Sequence, residues 1–143
     1  MARGNFDFGK VEHSRGGKFP EGDYVVRIEE VSDTRQGGKK VTSNNNPFIK
    51  LMLRIVQGQK YANRVCFHLQ AITPETMQIV QNMHMAITGE EIDREFTGAR
   101  QVVNYLMGAL KPYEGYLITV HLFEEGEQLR CRYFLYDTIG GDD

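Results

Sequence analysis

The chain has only two cysteines, Cys66 and Cys131, and opens on MARGNFDFGK with no apolar signal segment. Both features fit a reducing cytoplasm. No apolar run approaches the roughly 20 residues that a membrane-spanning helix needs, so no membrane partner is expected. Catalytic and metal-binding signatures are equally scarce. His13, His68, His84 and His121 are scattered over separate stretches, and neither H-E-x-x-H nor an Asp-rich cluster occurs. Cys66 and His68 lie two apart on one strand face, the arrangement of two zinc ligands, but no CxxC or second ligand pair completes a site. GGKKVTS, residues 37–43, lacks the Walker spacing around Lys39. No local signature joins a Ser or Cys nucleophile to an oriented base. These absences lead us to expect no metal, no cofactor and no enzymatic activity.

What is present is the composition of a globular protein. At 143 residues the chain is one domain by size, and 41% hydrophobic with 25% charged residues is far from disordered or collagen-like sequence. The net charge of −2 conceals an uneven distribution. Residues 1–64 hold 12 Lys and Arg against 7 Asp and Glu, a local +5, and residues 65–143 hold 5 against 12, a local −7. Such a split permits a patch of positive potential on one side of the fold.

Residues 1–22 are Gly-rich and basic without a sustained period, and they read as an arm, flexible or docked, in which Phe6, Phe8 and Phe19 can anchor to the domain or to a ligand. From Asp23 the pattern alternates. Tyr24, Val26 and Ile28 oppose Asp23, Arg27 and Glu29, and a bulge is predicted near Glu29 and Glu30, where the period slips. A Gly- and Asn-rich loop over 32–46 leads into PFIKLMLRIV. There Ile49, Leu51, Leu53 and Ile55 predict a core face, and Phe48, Lys50, Met52 and Arg54 predict a mixed outer face. After a turn, RVCFHLQ supplies a third strand in which Val65, Phe67 and Leu69 alternate with Arg64, Cys66 and His68. A helical interlude over about 73–111 follows. It has Thr73 as N-cap, Pro74 at the first helical position, Gly89 after the end of the first helix, and two further short helices divided near Gly98. GYLITVHLF and QLRCRYFLYD, joined by EEGE, form a predicted β-hairpin. Three strands, helices, then two strands is the order of an OB-fold barrel, so the predicted class is mainly β with a helical insert between strands three and four (α+β). The single domain is predicted to span 23–139, with a short acidic tail at 140–143.

Two strands interleave cations with rings. The second carries Phe48, Lys50 and Arg54; on the last, Arg130, Arg132, Phe134 and Tyr136 oppose Leu129, Cys131, Tyr133 and Leu135. The opposite assignment, with Phe134 and Tyr136 in the core and Tyr133 outside, stays open. Unpaired nucleic acid needs both components, cations for its phosphates and flat rings on which bases stack at about 1–3 kcal/mol each. The loop between strands one and two, one of those that close over oligomers in OB-folds, adds Arg35, Lys39 and Lys40 on a framework expected to adapt to an irregular phosphate chain.

FPEGDYVVRIEEV, NPFIKLMLRIVQGQKYANRV and FHLQAITPE, within residues 19–75, resemble small phage-encoded single-stranded DNA-binding proteins with an OB-fold core. In that family a P-E-G-x-Y strand start precedes an N-P-x-x-K-L-x-L-x-I-V segment. The stretch from Ile92 to Leu110 goes beyond a minimal member. The resemblance implies a non-enzymatic cytoplasmic protein that coats single-stranded DNA in phage replication or recombination, and it points to Lys50, Arg54 and Arg64. The full set of expected contacts is Arg35, Lys39, Lys40, Phe48, Lys50, Arg54, Arg64, Arg130, Arg132, Phe134 and Tyr136. RNA stays open as ligand, since nothing here reads a 2′-hydroxyl. Replication or recombination proteins could be recruited by the acidic C-terminus, and a homo-oligomer is open. Two rivals remain, a structural or protein-interaction module of a virion or replisome and a small nucleic-acid enzyme.

Overall fold

A computed structural model describes residues 19–135. The first strand, β1 (Gly22–Ser32), buries Val26, Ile28 and Val31. Its period slips between Ile28 and Glu30, so Glu29 forms a bulge at the place where the alternation breaks in the sequence. β2 (Phe48–Ile55) buries Ile49, Leu51, Leu53 and Ile55, as their uniform branching predicts. β3 (Val65–Ala71) turns the other way from its apolar residues. Cys66 and Gln70 are buried, and Phe67 and Leu69 face solvent.

The strands are ordered β3-β2-β1-β4-β5, with β4 (Leu117–Glu125) and β5 (Gln128–Leu135) antiparallel across a turn in which Gly126 takes a φ of 65°. β3 and β5 meet along the remaining seam and close a five-stranded barrel, an OB-like α+β fold. At the seam the rings of His68 and Phe134 meet nearly at right angles, with centroids 5.3 Å apart. Val26, Ile28, Leu51, Leu53, Val120 and Leu122 fill the interior, each with no exposed surface.

Between β3 and β4 come a single turn at Pro74–Thr76, α1 (Met77–Thr88) and α2 (Ala99–Leu110). Thr73 donates its N–H to Thr76 Oγ1 at 3.0 Å, and Gly89 ends α1 in the left-handed region at φ 81°. Val80, Met83 and Ile87 of α1, and Val103, Leu106 and Leu110 of α2, reach the core. The helix predicted ahead of Gly98 does not form. Ile92 is held in a non-helical conformation by the Gln81 side chain, which accepts its N–H at 2.7 Å and donates to its carbonyl at 3.3 Å. The buried His84 ties the same segment down, with Nδ1 2.7 Å from the Glu90 carbonyl and Nε2 3.1 Å from the Tyr105 hydroxyl. These side-chain bonds satisfy the backbone that helix formation would otherwise satisfy.

One residue of the expected N-terminal arm is part of the core. Phe19 packs between Tyr24 and Tyr61 at centroid separations of 4.8 and 5.1 Å. Phe6, Phe8, Tyr136 and the acidic tail lie outside the described residues. Among the described residues, no helix is long and apolar enough to cross a membrane.

Candidate nucleic-acid interface

The outer face of β2 and β3 brings rings, thioether and cations into register. Met52 pairs across the ladder with Phe67, Lys50 with Leu69 and Arg54 with Val65. Phe67 is 56% exposed and Leu69 40%, unusual exposure for large apolar side chains in mid-strand. Their position follows from the period-2 rule. Cys66 and Gln70 are small or self-satisfying enough to face inward, Gln70 through a 3.1 Å bond from its Nε2 to the Ala71 carbonyl, and this turns Phe67 and Leu69 outward. Lys50 has no carboxylate partner among the described residues. β1 continues the face on the other side of β2, with Arg27 opposite Arg54, Glu30 opposite Met52 and Ser32 opposite Lys50. Glu29 stands between the two arginines, 2.8 Å from Arg27 and 3.5 Å from Arg54.

The loop between β1 and β2 borders this face and is more ordered than its composition suggests. Its first half folds back through a bond from the Arg35 N–H to the Lys39 carbonyl at 2.8 Å, with Gly37 and Gly38 at φ 85° and 77°. The second half closes through a bond from the Thr42 N–H to the Asn46 carbonyl at 2.8 Å, with Asn45 at φ 69°. Two internally bonded turns thus shape the Gly- and Asn-rich loop. Arg35 is consumed by this structure, its Nε donating to the Val41 carbonyl at 2.7 Å. Lys40 pairs with Asp33 at 3.3 Å, and Lys39 stands exposed with no carboxylate partner among the described residues.

A second outer face belongs to β4 and β5. Tyr133 is 49% exposed and stacks on His121, with centroids 4.7 Å apart and planes 12° from parallel. His121 is clasped between Asp23, 2.8 Å from Nδ1, and Glu21, 2.9 Å from Nε2. Hydrogen bonds to Asp23 first and Glu21 second raise its pKa, and the His121 bond in turn lowers that of Glu21. Arg130 pairs with Glu125 at 3.1 Å, and Arg132 pairs with Glu21 at 3.4 Å while lying 4.2 Å from the Phe123 ring centroid. Arg64 lies elsewhere, near the start of β3, 3.6 Å from Glu124 and 5.4 Å from the Phe19 ring centroid.

Two expected stacking residues are therefore corrected. Phe48 has no exposed surface, and the β2–β3 ladder runs on beyond it through the Ile72 N–H and the Pro47 carbonyl at 2.9 Å. Phe134 is only 9% exposed and points at His68. A bulge in β5 decides its direction. The register slips opposite His121 and Leu122, so Tyr133 pairs with His121, Cys131 pairs with Leu122, and Arg132 is the extra residue. Tyr133, Phe134 and Leu135 therefore change face, which gives Tyr133 and Phe134 the assignment that the sequence had left open as the alternative. The exposed ring that strict alternation overlooked is Phe67; the two polar-or-small residues flanking it, Cys66 and His68, were the available signal.

A cleft of about 530 Å³ opens elsewhere, between the start of α1 and the segment before α2, lined by Ile72, Pro74, Met77, Phe96 and Val102 with Arg94 and Glu95. None of the strand-face rings or cations lines it. Among the described residues, no three His, Cys, Asp or Glu side chains converge in a way that could hold a metal ion. Burial pushes the Cys66 thiol up to about 11, which keeps it protonated and unreactive at neutral pH. Neither protein-family models nor curated proteins give a match to this chain, so its functional assignment depends on the chemistry of these faces.

Proposed function

We propose that the protein binds single-stranded DNA without sequence preference on the outer face of β2 and β3. The observation that carries this is one cross-strand patch in which the exposed Phe67 and its partner Met52 lie between Lys50 and Arg54. Bases stack on Phe67, the thioether of Met52 extends the platform, and the flanking cations neutralise phosphates. Lys39 and Lys40, on the bordering loop, extend the positive border, and Arg130 and Arg132 add weaker contacts on the second face. Arg35 supports the loop. This is the face that OB barrels use for oligonucleotides. The phage replication or recombination role follows from the resemblance of residues 19–75, in which the protein protects unpaired strands and holds them extended.

The apolar character of Phe67 and Leu69, together with the carboxylate pairing of Lys40, Arg54, Arg64, Arg130 and Arg132, favours one alternative, a protein-contact face. Fluorescence anisotropy decides between them. A labelled mixed-sequence oligomer of about 30 nucleotides, single-stranded and duplex, is titrated at several salt concentrations. Tight, salt-sensitive binding to the single strand with little to the duplex is expected. Absence of binding at low salt retires the proposal and leaves the protein-contact face.

A further inference from the structure

Arg27 and Arg54 lie directly opposite each other on β1 and β2, a juxtaposition of like charges that destabilises a sheet unless an anion sits between them. Glu29 supplies that anion. The β1 bulge brings its Oε2 within 2.8 Å of Arg27 Nη1 and 3.5 Å of Arg54 Nε, so two guanidiniums converge on a single oxygen. Arg54 is oriented further by its Nη1, which donates to the Asn63 carbonyl at 3.2 Å. The hydrogen bond from Arg27, with Arg54 beside it, holds the Glu29 carboxyl below the usual carboxylate range. The cluster remains accessible, with 39%, 30% and 26% of the Arg27, Arg54 and Glu29 side chains exposed. Val65, opposite Arg54, is two residues from Phe67 along β3, a step of about 7 Å. A nucleotide stacked on Phe67 therefore has its backbone near the two arginines.

We propose that Arg27 and Arg54 form a phosphate seat whose resident occupant is Glu29, a carboxylate that a phosphate of the bound strand displaces. Guanidinium groups bind carboxylate and phosphate oxygens through the same hydrogen bonds, which makes the exchange chemically conservative. The bulge then has a role beyond bending β1, since it places the competing charge. Arg27 becomes a binding residue, and Glu29 becomes a built-in brake on affinity. This inference rests on the nucleic-acid function proposed above.

Glu29→Gln keeps the shape and removes the charge, so its affinity for the labelled single-stranded oligomer should rise about fivefold, the weight of one exposed ion pair. Arg27→Gln should weaken binding and reduce the slope of log K against log salt by about 0.7, one single-strand phosphate contact. Wild-type binding with unchanged or weaker affinity in Glu29→Gln overturns the seat and leaves an ordinary cross-strand ion pair. Should Glu29→Gln melt below the assay temperature, Arg27→Gln decides alone: a reduced slope supports the seat and an unchanged slope overturns it. If the wild type itself binds no single strand, the nucleic-acid function fails and the seat fails with it, an outcome separate from the other two.

Discussion

The outer face of β2 and β3 and the outer face of β4 and β5 draw on the same vocabulary of aromatic rings and cations, but they spend it differently. On β4 and β5, Tyr133 is stacked on His121, and Arg130 and Arg132 are each paired with a glutamate. The β2–β3 face leaves Phe67 without a ring partner and Lys50 without a carboxylate among the described residues. A ligand arriving at β4 and β5 would have to break the contacts of the ring and of both arginines, whereas on β2 and β3 it would meet Phe67 and Lys50 open and Arg54 engaged by Glu29. Cation and ring content along a strand is therefore a weaker guide to binding than whether those groups already satisfy one another.

The strongest way to break the comparison is charge reversal on the less encumbered side. Lys50→Glu with Arg54→Glu should lower single-strand affinity on the order of 100-fold, two charge-assisted contacts at about 1.5 kcal/mol each, with far-UV circular dichroism unchanged. Retained affinity would remove the β2–β3 face from consideration. Phe67→Ala comes next, with an expected loss of about 1–3 kcal/mol of binding and a melting temperature close to wild type, because the ring is mostly exposed. A fall in melting temperature without a fall in affinity would make Phe67 a packing residue. Arg130→Ala with Arg132→Ala should cost under about 1 kcal/mol of binding, since both guanidiniums are already engaged. A larger loss would move the principal contact to β4 and β5.

The smallest expected effect concerns the His121 clasp. A histidine whose folded pKa is raised adds stability that is full below its unfolded pKa, about 6.5, and is lost as pH rises through the folded value. Between about pH 6 and about pH 8.5 the wild type should therefore lose more melting temperature than His121→Gln, which cannot be protonated. The charged groups facing His121 are Glu21 and Asp23, with Arg132 bound to Glu21 and Tyr133 stacked above. Equal losses in the two proteins would show that the clasp does not titrate in this range.

Much of the barrel was legible because it depends on local periods. The alternation of Ile49, Leu51, Leu53 and Ile55, the interruption at Glu29 and the capping residues around Thr73 and Gly89 all act within a few residues of sequence. Lys50 and Arg54 were equally accessible to that logic. Phe134 was left with two open assignments, and a single bulged residue, Arg132, decided between them by turning Tyr133, Phe134 and Leu135 to the opposite face. Phe48 was misplaced for a different reason. It occupies an outer-face position by alternation, and only the path of neighbouring chain determines whether such a position is covered.

The sequence by itself determined the strand order, the inward face of β2 and the bulge in β1, since each follows from side-chain period or backbone preference. Tertiary structure alone decided which rings meet solvent and which cations are free. Phe67 emerges because Cys66 and Gln70 turn inward, and Arg54 is restrained because a bulge on another strand brings Glu29 to it. Pairing between residues distant in the chain has no local signal, so the charge state of a surface is settled only when the strands that share it are side by side.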